Sequence, residues 1–147
     1  MNTSDDITRS ASAHWEGDIA HGKGTFATES GLVSASYSFG TRFSNEPGTN
    51  PEELVAAAHA ACFSMALSGA LTRAGHPPAS IDTEARVHLQ RAAGGFEITG
   101  IALTTRVSAP GLDHAEFEQL AAAAKAGCPI SKALRAVDIS LEAILNS

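Results

Sequence analysis

The chain has 147 residues, of which 44% are hydrophobic, and its formal net charge at pH 7 is −6. These values indicate one globular domain with a sizeable core rather than a disordered chain. An acidic chain without a basic run is not expected to bind nucleic acid or an anionic membrane surface. The first twelve residues are polar and lack the apolar stretch of a signal peptide. We therefore expect a flexible tail over residues 1–12, a single domain over residues 13–147 and a cytoplasmic location.

Three short segments separated by glycines open the predicted domain. They cover residues 14–19, 25–28 and 32–43, and segments of this kind are typical of a β-meander. In the third segment the side chains alternate between two faces. This alternation predicts that Arg42 lies on a strand, on the face opposite to Phe43.

The strongest helix signal begins at Asn50. Asn50 is a good N-cap, Pro51 suits the first helical position, and Glu53 can bond back to the cap. We expect a helix over residues 51–74, which Gly75 and the two prolines after it would end. Because the centre of this segment is apolar on every side, we interpret it as the buried core helix of a soluble fold rather than as a membrane span.

The second half of the chain carries both strand and helix patterns. Strands are expected over residues 81–90, 96–107 and 137–142, with a bulge near Gly100 in the second of them. Helices are expected from Asp113 to Gly127 and from Cys128 to Arg135. The order of elements predicts the α+β class, with curled antiparallel sheets around a long central hydrophobic helix.

The two cysteines have different surroundings. A permanent disulfide is not expected in a reducing compartment, and the absence of a CxxC pair excludes a thioredoxin-type site. Cys62 lies mid-helix among apolar residues, where a cysteine is more often inert and where burial raises the pKa of its thiol. Cys128 precedes Pro129 at a predicted helix start, where free amides lower the pKa of a thiol.

A reactive Cys62 would need a nearby cation, and Arg42 is the candidate, with the Glu52 carboxylate to hold the guanidinium. Taken alone, Arg42 is as well explained as an exposed charge on a strand, and Glu52 as a carboxylate in the first turn of a helix. The histidines show no metal-ligand spacing, so we expect neither a metal nor another cofactor. His59 is interpreted as a partly buried residue with a hydrogen-bond partner, and a nucleophile–base pair with Cys62 is the alternative.

Four segments resemble a known family. The runs at residues 50–64 and 125–129 resemble the two cysteine motifs of the OsmC/Ohr family. The runs at residues 14–17 and 22–25 resemble the OsmC branch of that family. By these residues the chain is identified as a member, and the resemblance covers nearly all of it.

This resemblance implies an intertwined homodimer of α+β fold, with two active sites at the dimer interface. It also implies a peroxidase that prefers organic hydroperoxides and is recycled by an external dithiol, in this family a dihydrolipoyl protein. In the matching positions, Cys62 is the attacking cysteine and Cys128 the resolving one. Glu52 matches the carboxylate of the family and Arg42 the arginine of its OsmC branch.

The spacing of Glu52 and Cys62 adds an expectation about the dimer. Ten residues of helix separate them by about 15 Å along the axis and place them on different faces. We therefore expect Glu52 to serve the partner subunit's Cys62. Two other functions remain open: a hydrolase or thioesterase that uses Cys62 with His59, and a non-catalytic, stress-related binding protein with both cysteines in its core.

Overall fold

The computed structural model describes residues 6–146, which form two compact units that divide between Pro51 and Glu52. The elements of the first unit are β1 (Ala11–Glu16), β2 (Lys23–Thr28), β3 (Ser34–Tyr37) and α1 (Phe39–Phe43). The elements of the second unit are α2 (Pro51–Arg73), β4 (Ser80–Ala92), β5 (Gly95–Ser108), α3 (His114–Gly127), α4 (Pro129–Ala133) and β6 (Asp138–Asn146).

The first unit contains a three-stranded antiparallel meander in the order β1-β2-β3, as predicted. Gly24 of β2 lies against the aromatic rings of Trp15 and Tyr37, whose centroids are 5.5 Å apart. A Cβ atom at Gly24 would come within 2.6 Å of the Trp15 ring and 2.7 Å of the Tyr37 ring. The close packing of these rings therefore requires glycine at this position.

The predicted flexible tail covers residues 1–12, of which residues 1–5 lie outside the described part of the chain. Residues 6–10 have neither helix nor strand, but β1 already begins at Ala11, which pairs with Thr28. The tail therefore ends earlier than predicted, and the single domain over residues 13–147 stays a prediction.

α1 occupies the end of the predicted third strand. The Ser38 hydroxyl accepts a hydrogen bond from the Thr41 amide at 3.3 Å, and the Thr41 hydroxyl accepts one from the Ser38 amide at 2.9 Å. The rings of Phe39 and Phe43, one helical turn apart, have centroids 5.0 Å apart. The prediction that Arg42 lies on a strand was therefore wrong, because these local capping bonds hold the segment in a helix despite its alternating pattern.

α2 confirms the predicted central helix. Its buried side chains recur every fourth residue and form one row: His59, Phe63, Leu67 and Leu71. This row packs against Leu103 of β5 and Phe117 of α3. The opposite side of the helix is not covered within the single chain, where Met65 is 79% exposed. The expectation that the helix is wrapped on every side thus holds for one face only.

α2 is also long and apolar enough to cross a membrane, with a mean hydropathy of 1.7 over its most apolar window. Length and composition are shared by membrane spans and by core helices. The buried row of α2 packs into the core of the second unit and includes a hydrogen-bonded histidine. This packing is that of a core helix, in agreement with the sequence-based interpretation.

The second sheet has the order β4-β5-β6, and its first two strands form an antiparallel hairpin. His88 pairs with Gly100, but the next residue, Leu89, pairs with Ile98. Thr99 is therefore the extra residue of a bulge, and the bulge predicted near Gly100 is confirmed.

β6 runs parallel to β5, with Gly100 opposite Asp138 and Ser108 opposite Asn146. α3 and α4 form the crossover that a parallel pair requires. The expectation of wholly antiparallel sheets was wrong for this strand, because alternation assigns side chains to faces and says nothing about strand direction. The α+β class itself is confirmed.

Candidate active site

The two cysteines are brought together by α2 and by the junction of α3 with α4. Asp113 caps α3, because its carboxylate accepts a hydrogen bond from the Glu116 amide at 3.2 Å. The helix ends at Gly127 as predicted. Pro129 then begins α4. Cys128 lies at the break between these two helices, with its side chain next to α2. The Sγ atom of Cys128 lies 3.0 Å from the Sγ atom of Cys62.

Both cysteines are free thiols in this arrangement. A disulfide bond has a sulfur–sulfur distance of about 2 Å, so the observed contact is a hydrogen bond between two reduced thiols. Oxidation by an external oxidant would need only a small movement of the two sulfurs to close a disulfide. Cys62 is half-buried, whereas Cys128 is fully buried. A small molecule that enters from the surface therefore reaches the sulfur of Cys62 first.

The thiol of Cys128 lies at the amino end of α4, where its sulfur faces backbone amides without closing a full capping hydrogen bond. Burial acts to raise the pKa of this thiol. The Cys62 thiol, the amide and hydroxyl of Ser131 and the amide of Ile130 outweigh burial and lower the pKa below its ordinary value. The direction agrees with the prediction for a helix start, but the Cys62 thiol contributes more to it than either amide of α4 does.

The thiol of Cys62 shifts in the opposite direction. Burial raises its pKa, and the hydrogen bond with Cys128 raises it further, while the Ile130 amide acts weakly the other way. The surroundings of Cys62 therefore favour its neutral thiol form. A positive charge brought to Cys62 is needed to make it a thiolate.

His59 and Ser131 form a second pair beside the cysteines. Both residues are buried, and His59 Nε2 lies 2.8 Å from Ser131 Oγ. The other ring nitrogen, Nδ1, is buried without a hydrogen-bond partner among residues 6–146. The predicted hydrogen-bond partner of His59 is thus confirmed, although its burial is complete rather than partial. That partner is Ser131 of α4 rather than Cys62.

Ser131 is a residue of this site that the sequence analysis missed. A single serine in a five-residue helix carries no periodic pattern. The one signal was its position three residues after Cys128, on the same helical turn.

Arg42 and Glu52 lie on different elements. Glu52 is half-buried in the first turn of α2, about 15 Å along the axis from Cys62. Arg42 lies on α1, with its guanidinium carbon 5.0 Å from the centroid of the Phe43 ring. It lines a cavity of about 280 Å³ together with aromatic side chains of the first unit, including Trp15. The catalytic roles of Arg42, Glu52 and both cysteines stay predictions.

The donor groups needed for a metal site do not cluster in the part of the chain that the structure describes. No group of three or more His, Cys, Asp or Glu side chains between residues 6 and 146 is placed to hold a metal ion.

Two bacterial proteins have sequences similar to that of this chain. The chain is 54% identical to peroxiredoxin OsmC of Escherichia coli (strain K12) over 142 residues, which cover 96% of this chain and 99% of that protein. It is 36% identical to the organic hydroperoxide resistance protein of Xanthomonas axonopodis pv. citri (strain 306) over 96 residues, which cover 64% of this chain and 66% of that protein. Sequence similarity to the first relative thus extends over nearly the whole chain.

Solved structures show the same fold. The organic hydroperoxide resistance protein OsmC from Legionella pneumophila superimposes with a TM-score of 0.76 at 30% identity, over 94% of this chain and 97% of that chain. The protein from Elizabethkingia anophelis, also an organic hydroperoxide resistance protein, gives 0.75 at 25% identity, over 95% of this chain and 99% of that one. The family model described as OsmC-like protein matches residues 43–142. The chain therefore belongs to the OsmC family.

Proposed function

We propose that this protein is a thiol-dependent peroxidase that reduces organic hydroperoxides to alcohols. The observation that carries the proposal is the 3.0 Å contact between the sulfurs of Cys62 and Cys128, which come from separate helices. Two thiols in contact can close a disulfide without rearrangement of the fold. The names of the relatives, a peroxiredoxin and organic hydroperoxide resistance proteins, support the same activity.

In the proposed reaction, Cys62 attacks because it is the more accessible thiol. Its thiolate attacks the terminal oxygen of the hydroperoxide. An S–O bond forms, the O–O bond breaks, and the oxygen bound to carbon leaves and takes up a proton to become the alcohol. Cys62 is thereby oxidised to a sulfenic acid. Cys128 attacks the sulfenic sulfur, an S–S bond forms, and water leaves. An external dithiol reduces this disulfide by exchange, and we propose a dihydrolipoyl protein for that step.

The raised pKa of Cys62 means that the first step needs a cation. We propose that Arg42 supplies it and also stabilises the charge that develops on the peroxide oxygens. Glu52 would hold the guanidinium through paired hydrogen bonds, since carboxylate and guanidinium match in geometry. Both roles come from the matching positions in the family.

We further propose that the working unit is a homodimer in the cytoplasm, free of nucleic acid and membrane. The uncovered apolar side of α2, where Met65 is 79% exposed, offers a surface for a second copy. The helix geometry keeps Glu52 away from Cys62 of its own chain. Glu52 would therefore serve the partner subunit's Cys62.

A mixed dimer tests the trans arrangement. One chain carries Cys62→Ser and the other Glu52→Gln, and the mixed species is purified with two different affinity tags. If Glu52 acts across the dimer, one site keeps both residues, and the mixed dimer should show about half the wild-type rate, as independent sites add. Each parent homodimer serves as the control and should be nearly inactive. A mixed dimer no more active than its parents would show that Glu52 acts within its own chain.

The peroxidase activity itself is tested by stopped-flow oxidation of the reduced protein. We expect cumene hydroperoxide to consume both thiols and form one disulfide per chain, faster than hydrogen peroxide does, because Cys62 lies among apolar side chains. Tryptophan fluorescence and thiol counting report the time course. Slow oxidation at equal rates by both oxidants would contradict the proposal and favour a non-catalytic protein.

A further inference from the structure

Four buried or half-buried side chains form a continuous path in the second unit. Cys62 Sγ contacts Cys128 Sγ at 3.0 Å, and the hydroxyl of Ser131 is hydrogen-bonded to the Cys128 sulfur. Ser131 Oγ lies 2.8 Å from His59 Nε2. The path thus connects the more accessible thiol to an imidazole that is fully buried, 0% exposed.

His59 is not explained as an ordinary core residue. A buried polar group normally has all of its hydrogen-bonding atoms paired, because an unpaired one is destabilising. Nδ1 of His59 has no partner within residues 6–146, although apolar residues would fill this position in the helix row without that penalty. A titratable ring remains in the core despite this destabilisation, and it lies at the end of a path to two thiols. This combination indicates a chemical role.

We propose that His59 and Ser131 form a proton relay that takes the thiol proton of Cys128 when Cys128 attacks oxidised Cys62. The inference rests on the proposed function, and it assigns proton transfer to the Ser131 hydroxyl and the role of base to His59. Before the step, Cys128 donates to Ser131 Oγ and the Ser131 hydroxyl donates to His59 Nε2. After proton transfer all directions reverse: Nε2 donates to Ser131, and Ser131 donates to the Cys128 thiolate.

The atoms and electrons of the step balance. Cys128 loses its proton to Ser131 while Ser131 passes its own proton to Nε2. The thiolate electron pair forms the S–S bond with Cys62, and the bond from Cys62 sulfur to oxygen breaks. Hydroxide leaves and becomes water with one proton, and His59 returns one proton to solvent. The sum is one disulfide and one water from a sulfenic acid and a thiol.

The relay requires that His59 is neutral before the step, and the burial of the ring favours this neutral form. Burial lowers the pKa of His59 from its ordinary value of 6.5. The ionisable groups on the path are the thiols of Cys62 and Cys128. The charged side chains that line the groove next to Ser131 are Lys125, Lys132, Arg135 and Asp138. Because burial favours the uncharged ring, the imidazole is available as a base at neutral pH.

The relay can be tested without peroxide. Dithiobis(nitrobenzoate) reacts first with Cys62, which is the more exposed thiol, and releases one thionitrobenzoate. Cys128 then attacks the Cys62 sulfur and releases a second thionitrobenzoate in a unimolecular phase. This leaving group departs as a stable anion and needs no proton. The rate of the second phase therefore reports how Cys128 loses its proton.

The pH profile of this second phase distinguishes a relay from a structural role. With neutral His59 as the base, the wild-type rate should be flat above pH 6.5 and fall below it, as His59 becomes protonated. His59→Gln keeps an amide to bond Ser131 but removes the base. Its rate at pH 7 should drop by about a hundredfold, the lower end of the range for a general base, and rise about tenfold per pH unit toward the pKa of Cys128.

Two further variants complete the experiment. Ser131→Ala interrupts the same path from its other end, so the test stands even if His59→Gln fails to fold. Thr83→Val removes a half-buried hydroxyl outside the path, which bonds Ser64 at 2.8 Å and Thr105 at 2.9 Å, and should keep the wild-type profile. Wild-type profiles in both His59→Gln and Ser131→Ala would overturn the relay. Slow peroxide oxidation with the expected nitrobenzoate profiles would instead overturn the peroxidase function and leave the relay standing.

Discussion

Replacing Cys62 with serine should abolish hydroperoxide reduction, with a loss of more than about a thousandfold, as expected when a catalytic nucleophile is removed. A serine hydroxyl is almost never ionised at neutral pH, whereas a thiol beside a cation is partly thiolate. The measurement is steady-state reduction of cumene hydroperoxide with a dithiol as reductant. The Cys62→Ser protein should consume neither substrate above the background rate.

Cys128→Ser is the matched control, because it replaces the other sulfur of the pair, which lies 3.0 Å from Cys62 Sγ, by the same substitution. This variant should still oxidise Cys62 once, and a dimedone adduct at Cys62 would report the sulfenic acid. The directions of the pKa shifts alone would favour Cys128 as the thiolate, since the pKa of Cys128 is lowered and the pKa of Cys62 is raised. Access argues the other way, because Cys128 is 0% exposed. A dimedone adduct at Cys128 in the Cys62→Ser protein would show that Cys128 is the attacking cysteine and Cys62 the resolving one.

Phe63→Ala should lower the free energy of unfolding by about 3–5 kcal/mol, the usual range for truncating a fully buried phenylalanine. Phe63 is 0% exposed and belongs to the row of α2 that packs into the core of the second unit. Its removal leaves a cavity next to the helix turn that carries Cys62. Urea unfolding followed by circular dichroism measures the change, at one fixed protein concentration because association would add to stability.

Phe96→Ala provides the comparison for this loss. Phe96 is 37% exposed on β5 and has the Arg91 guanidinium 4.8 Å from its ring centroid. Its replacement should lower the free energy of unfolding by about 1 kcal/mol or less, the size of an exposed cation–π contact. Equal losses in the two variants would show that the row of α2 is not the main core of the fold.

The elements with strong local signals were predictable from the sequence. α2 follows from Pro51, from its long apolar run and from Gly75, and the structure ends it at Arg73. α3 follows from Asp113 as its cap. The bulge follows from a shift in alternation near Gly100. In each case the residues that decide the structure lie within a few positions of one another.

The remainder depended on contacts that the sequence does not display. The bonds between Ser38 and Thr41 override the alternation around Arg42, and one capping box is a weaker signal than twelve residues of pattern. The parallel pairing of β6 is set by packing across the crossover. Ser131 meets His59 across 72 residues of chain. Only the folded arrangement brings such groups within hydrogen-bond distance.

The crossover between β5 and β6 has a consequence for the order of folding. Cys128 lies within this crossover, whereas Cys62 lies on a helix that precedes β4. Parallel strands joined by a long connection form contacts between distant parts of the chain, and such contacts are made slowly. The contact between Cys62 and Cys128 likewise joins residues 66 positions apart, so it too is expected to form slowly. Until then each sulfur is open to chemistry with other molecules, and correct assembly of the redox pair competes with oxidation of the unfolded chain.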